Sequence, residues 1–274
     1  LGTRVRADVM IRNRESSKWD LVEVKSSSSA KEVHDVDMAI QRAVLEASGV
    51  VVGTTGVMLV DSDYVRDDAE VTPEGLFKIV DRTEEVLALL PSVISLNSHL
   101  HEVISSETMP DIKIGPHCEE PYGCQFFDYC SKDRPVDWIQ NLPGFGLKKV
   151  SELESRGVIG ISDIGSTEKL NELQNRAVES TVSKTPWVSD RLSEVLSGVG
   201  YPMRFIDFET AGPTVPLYPG TSPREVIPFQ WSCHTLDSDR SLGHSDYLAG
   251  GESDPRREFV ESLLRAVGTE GPVL

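Results

Sequence analysis

Positive charge, long apolar runs and cysteine are all scarce in this chain. Lys and Arg number 27 against 44 Asp and Glu, a formal net charge of −17. That balance argues against a broad electrostatic grip on a nucleic acid backbone. No apolar run is long enough to span a bilayer and no signal-peptide pattern opens the chain, so no membrane association and a cytoplasmic setting are expected. Only 4 cysteines occur in 274 residues, and without a secretory signal a disulfide framework is the weaker reading. What remains is a hydrophobic content of 39%, enough for a real core in one large or two modest domains. The chain opens on Leu1 rather than Met, and Gly271-Pro272-Val273-Leu274 reads as the entry to a strand cut short. A fragment of a longer protein is expected.

The charge is uneven. Residues 1–32 hold seven basic and five acidic side chains, a balance of +2, which leaves −19 for the rest. The same stretch carries the most informative pattern. Arg6-Ala7-Asp8-Val9-Met10-Ile11 and Trp19-Asp20-Leu21-Val22-Glu23-Val24-Lys25 read as two strands, and Arg14 to Lys18 reads as the hairpin turn between them. Val5, Ala7, Val9 and Ile11 share one face of the first strand with Asp8 on the other; Leu21, Glu23 and Lys25 share a face of the second. Such a hairpin brings Asp8 and Glu23 within reach of one hard divalent cation, with Lys25 beside them. Carboxylates that hold Mg²⁺ or Mn²⁺, plus a lysine to position water or stabilise charge, are a plan for phosphodiester hydrolysis. The plainer alternative is the solvated side of an ordinary antiparallel pair. Against it, Val22-Glu23-Val24-Lys25 sits in an apolar context where unpaired charge is costly.

Ser26 to Ser29 then leads into a helix in which Val36, Ala39, Ile40, Ala43, Val44 and Ala47 recur at helical spacing, with Gly49 as a stop. Gln41 flanks that apolar face and, taken alone, reads as a surface residue. Together, Asp8, Glu23-Val24-Lys25 and Gln41 resemble the PD-(D/E)XK nuclease superfamily, in particular the RecB-like branch that includes the CRISPR-associated iron–sulfur exonucleases. The resemblance implies a restriction-endonuclease-like mixed sheet with flanking helices. It also implies metal ligation by Asp8, Glu23 and the Val24 carbonyl, a catalytic Lys25, and a Gln41 that supports the site or contacts DNA.

Cys118, Cys124 and Cys130 form a Cys-x5-Cys-x5-Cys run with Pro121 and Gly123 in its first gap. Thiolates so grouped suit an iron–sulfur cluster or zinc, unless the three simply stay reduced. The RecB-like iron–sulfur nucleases carry three cysteines after the nuclease core and a fourth before it. The resemblance therefore implies that Cys118, Cys124 and Cys130 help bind a cluster, 4Fe-4S by type, whose fourth ligand lies upstream of Leu1. A Cys₃His zinc site using His117 is the alternative. Cys233, in the strand-like Phe229-Gln230-Trp231-Ser232-Cys233, reads as a buried core thiol.

Between these features, Val50 to Val60 is strand-like. Val80 to Ile104 is a helix interrupted at Pro91, with Leu87, Leu90, Ile94 and Leu100 expected in the core and His99 and His101 exposed. Leu142-Pro143-Gly144-Phe145-Gly146-Leu147-Lys148-Lys149-Val150 resembles the hairpin of helix-hairpin-helix modules, where backbone N–H groups hold a phosphate; a Pro-Gly loop before an amphipathic helix fits equally. Residues 150–185 read as helical and acidic.

Finally, Met203-Arg204-Phe205-Ile206-Asp207-Phe208-Glu209-Thr210 is an apolar strand whose two acids point the same way. On a buried strand such a pair calls for a cation. It resembles the first motif of DnaQ-like, DEDD-type exonucleases on the ribonuclease H fold, which implies that Asp207 and Glu209 share two metal ions. Phe229 to Ser232 is expected as the next strand, Pro255 to Val267 as a helix, and Val273-Leu274 as the start of another strand. The α/β chain is thus expected to comprise a RecB-like core with its cysteine cluster (1–133), a helical, hairpin-containing linker (134–195), and the first half of a ribonuclease H-like domain (196–274). That order resembles an uncharacterised bacterial family of fused nucleases. It implies a Mg²⁺- or Mn²⁺-dependent nuclease, exonuclease rather than endonuclease, acting on DNA ahead of RNA in repair, recombination or defence. The rivals are a non-catalytic nucleic-acid-binding scaffold with degenerate nuclease folds and a zinc-stabilised interaction module.

Overall fold

A computed structural model describes residues 2–67, 71–166, 168–251 and 253–274. The chain divides into two compact units. The first joins Leu1–Ser105 to Gly198–Leu274; the second is Ser106–Ser197.

In the first unit β1 (Val9–Arg12) and β2 (Trp19–Val24) form the expected hairpin. Asn13 shapes its turn, its Oδ1 accepting the N–H groups of Glu15 and Ser16. The helix α1 (Glu32–Ala47) crosses over to β3 (Val52–Val60), which lies parallel to β2, as a crossover connection allows. A short helix α2 (Pro73–Leu76) leads into β4 (Phe77–Asp81), antiparallel to β3, so the sheet runs β1-β2-β3-β4. The long helix α3 (Thr83–Ser105) packs on α1, and Met38, Ala39, Val57, Leu59, Val86 and Val93 close the core between helices and sheet.

Several expectations are corrected here. The helix α3 runs through Pro91 without a break. Proline removes one N–H from the helical ladder, but Val86 and Val93 on either side of it are buried against the core. Those valines, with partly buried Leu89 and Leu90, face inward, whereas Leu87, Ile94 and Leu100 are exposed. Val80 belongs to β4 rather than to the helix. On α1 the buried face includes His34, Asp35, Gln41 and Arg42, while Val36 is exposed. Polar partners explain that face. Arg42 donates to the carbonyls of Val52 and Gly53 and to Thr55 Oγ1 at 3.0–3.1 Å, fixing α1 on the start of β3. Asp35 pairs with Arg82, just ahead of α3.

A second sheet of the same unit is a meander of β5 (Met203–Ala211), β6 (Ile227–Leu236) and β7 (Leu242–Leu248). The helix α8 (Arg256–Val267) lays Phe259 on Trp231 and Cys233, so Cys233 is the buried thiol expected. Beyond α8, Val273 bridges Arg204 in parallel, and Ile206 N–H donates to Leu274 O at 3.1 Å. The expected fourth strand thus begins beside β5.

The second unit contains α4 (Phe127–Ser131), α5 (Leu147–Ser155), α6 (Glu172–Ser183) and α7 (Leu192–Ser197), with 3₁₀ turns between. Cys118, Trp138, Ile139, Leu147, Val150 and Leu153 form its core. Residues 150–185 are therefore helical only in part. No described helix is long and apolar enough to cross a membrane.

Candidate active site

The hairpin register sets Val9 opposite Val22 and Met10 opposite Leu21; continued one residue back, it places Asp8 beside Glu23. A direct bond fixes that end of the strand, since Val24 N–H donates to Asp8 Oδ2 at 2.9 Å. Side-chain alternation turns Glu23 toward α1, where it is 6% exposed and lies next to Val57 of β3.

Four side chains then close a ring. Lys25 Nζ donates to Glu23 Oε1 at 2.6 Å and to Asp37 Oδ2 at 2.9 Å. Gln41 Nε2 donates to Glu23 Oε2 at 2.8 Å and to Asp37 Oδ1 at 3.3 Å. Each donor bridges both carboxylates, and each carboxylate uses both oxygens. Asp37 and Gln41 are four residues apart on α1, so the helical repeat puts them on one face. Gln41 is 4% exposed rather than a surface residue. Its Oε1 is buried and has no hydrogen-bond partner among the described residues.

The electrostatics follow from these bonds. Burial works against the Lys25 charge, but its hydrogen bonds to Glu23 and Asp37 outweigh that and raise its pKa above the ordinary lysine range. Burial likewise opposes the Asp37 charge, and hydrogen bonds from Lys25 and Gln41 prevail, holding its carboxyl below the usual range. Nearby His34 is shifted down by burial, then by the charges of Lys25 and Lys31, which favours the neutral ring.

The structure thus brings together Asp8, Glu23, Val24, Lys25 and Gln41. Asp37 completes the group and was missed from the sequence, although its i,i+4 relation to Gln41 was readable there. Hard oxygen donors of this kind suit Mg²⁺ or Mn²⁺. Three carboxylates against one ammonium leave a local charge of −2, and the unpartnered Gln41 Oε1 is a further oxygen that lacks a donor. The residues present fit a divalent cation by donor chemistry and charge, although no three His, Cys, Asp or Glu side chains among the described residues already converge as a ligand group.

The other expected sites are less assembled. Asp207 and Glu209 share a face of β5, but that face is exposed, with Asp207 Oδ1 accepting the Phe208 N–H. The strand is covered on one side only, because Ile206 and Phe208 turn toward Phe259 of α8. The argument from a buried strand is therefore corrected: solvent bears the charge of this pair. Asp207 is opposite Ser232, which is opposite Asp246, so the open face carries a third acid two strands away.

Cys118 is packed in the core of the second unit while Cys124 and Cys130 are exposed. Their thiolate chemistry suits iron–sulfur or zinc, but this placement does not gather three sulfurs into one cradle. Thiol labelling under reducing, native conditions is expected to modify Cys124 and Cys130 quickly and to reach Cys118 and Cys233 only on unfolding. Protection of all three of Cys118, Cys124 and Cys130 in anaerobically prepared protein, released by a chelator, would instead show a metal holding them together.

At the hairpin-like segment, Gly144 takes a positive φ of 77° and α5 begins at Leu147. Glu119 Oε2 already accepts the Leu147 N–H at 3.1 Å, and Lys149 pairs with Glu152 and Glu168. An internal carboxylate thus stands where a phosphate was expected, which favours the plain loop-and-helix reading.

Residues 204–274 match the profile of a family described as a domain of unknown function, DUF2779. That stretch runs from the second residue of β5 to Leu274. No curated protein and no solved structure matches.

Proposed function

We propose that the hairpin and α1 form the active site of a metal-dependent nuclease that hydrolyses phosphodiester bonds, in DNA ahead of RNA. The carrying observation is the ring of Glu23, Lys25, Asp37 and Gln41 beside Asp8, which gathers all four side chains that the nuclease resemblance names and adds Asp37. When bound, Mg²⁺ or Mn²⁺ supplies a water of lowered pKa and a shield for phosphate charge. Asp8, Glu23 and the Val24 carbonyl would hold it. Gln41 Nε2 fixes the Glu23 carboxylate. Lys25, kept charged by its neighbours, offers N–H donors and positive charge to a phosphate oxygen as charge builds there. A lysine whose pKa is raised is a poor base, which favours this role over proton abstraction.

The strand arrangement supports both halves of the reading. An antiparallel hairpin followed by a parallel crossover is consistent with a restriction-endonuclease-like core. The meander β5-β6-β7, followed by α8 and a strand parallel to β5, is consistent with the opening of a ribonuclease H-like domain, where Asp207 and Glu209 would serve a second two-metal site.

The test is Mn²⁺-dependent cleavage of labelled single-stranded DNA by the chain, by Lys25→Ala and by Asp207→Ala. Loss in Lys25→Ala alone is expected. Equal activity in all three would mean a contaminant, and no cleavage by any would favour a non-catalytic scaffold.

A further inference from the structure

We propose that Asp37 is a third carboxylate of the cation site, with Gln41 Oε1 as a neutral oxygen donor beside it. The inference rests on the nuclease reading for the presence of a cation at Asp8 and Glu23, and it extends that site onto α1.

Three observations carry it. First, Asp37 is joined to Glu23 twice over, through Lys25 and through Gln41, so the two carboxylates are held as neighbours although they come from a strand and a helix. Second, Gln41 Nε2 donates to both acids, which fixes the amide's orientation and leaves Oε1 buried with nothing to accept from. A buried carbonyl oxygen without a donor is costly. A hard cation, or a water bound to one, relieves that cost, and oxygen-only coordination by carboxylate, amide and backbone carbonyl is what Mg²⁺ and Mn²⁺ take. Third, charge decides between a two-acid and a three-acid site. Asp8 and Glu23 against Lys25 leave −1; adding Asp37 gives −2, the charge that a dication neutralises. The Asp37 side chain is 44% exposed, so this carboxylate is open to an incoming ion.

Mn²⁺ binding to the full chain, measured by electron paramagnetic resonance of the free ion, tests the assignment without relying on activity. Asp37→Asn is expected to weaken Mn²⁺ by about 10–100-fold, the scale on which such ligand and supporting groups act. Asp8→Asn is expected to do the same. A role confined to bracing Lys25 would leave Mn²⁺ affinity intact, whatever the change in Tm, since the bonds from Lys25 and Gln41 to Asp37 are present without metal. Wild-type affinity in Asp37→Asn alongside loss in Asp8→Asn overturns this inference and leaves the nuclease reading standing. Absence of Mn²⁺ binding in the wild type overturns both. Asp37→Ser, which removes the carboxylate from a half-exposed position with less bulk, gives the same reading if the Asn variant does not fold.

Discussion

Glu23→Gln is expected to lower Mn²⁺-dependent cleavage by about 10²–10³-fold, the scale on which removal of one preorganised electrostatic group acts in an active site. The expectation follows from its position. Glu23 is the only member of the ring on β2 that is buried and anionic, and it faces both Lys25 and Gln41. The glutamine keeps the shape and keeps an oxygen for Gln41 Nε2, but it withdraws the charge that a hard cation requires. Stability should change far less. The variant weakens a charged hydrogen bond to Lys25, worth about 1.5–3 kcal/mol, yet Lys25 retains Asp37, and the cost of burying a carboxylate is relieved. Cleavage rates and thermal unfolding in chelator, measured on the same preparations, separate the two effects. Unchanged cleavage with an intact fold would remove Glu23 from the chemistry and the hairpin with it.

That division between function and stability explains which parts of the site were legible in the sequence. Asp8, Glu23 and Lys25 stand at strand spacing beside apolar neighbours, so alternation alone put them on readable faces. Gln41 was visible only through the family resemblance. Its burial depends on Glu23, which is far away in sequence, and periodicity sees it as one polar residue flanking an apolar stripe. Asp37 was missed for the same reason: a helix acid beside Val36 reads as solvated until the strand opposite is known. The helix itself was legible in extent but not in its buried face, because Arg42 and Asp35 enter the interior with partners supplied by β3 and by Arg82. Hydrophobic spacing carries no trace of such pairs.

The second sheet shows the complementary case. The strand at Met203, the strand at Phe229 and the helix after Pro255 were readable, since each is an apolar run or an amphipathic repeat; a strand starting at Val273 was also readable, but its parallel pairing with Arg204 was not. The strand Leu242–Leu248 was not, because its residues are nearly all exposed and its alternation is correspondingly faint. In α3 the sequence offered several apolar stripes, and tertiary contact with α1 chose Val86 and Val93 over Leu87 and Ile94.

Lys25→Ala is expected to lower the cleavage rate by about 10²–10³-fold while leaving the shape of the pH profile unchanged. The sign follows from the shifts. The Lys25 pKa is raised from an unfolded value of 10.5, so its pairing is fully present below that value and is lost only as pH rises through the higher folded one. The Asp37 pKa is lowered from 3.8, so its contribution is present above that value and is lost as pH falls through the folded one. Both shifts run away from neutrality, so an ascending limb of the wild-type profile near neutral pH is expected to belong to another group, and the variant should run parallel to the wild type at a lower rate. A lysine acting as base predicts something different: a limb in the wild type that disappears in Lys25→Ala. Removing an ammonium that donates to Glu23 and Asp37 should also leave Mn²⁺ affinity equal or tighter, so a fall in affinity would mean that Lys25 braces the ligands rather than serving the phosphate. Rate, pH profile and affinity of this one variant thus decide whether the charge on Lys25 is used on the substrate.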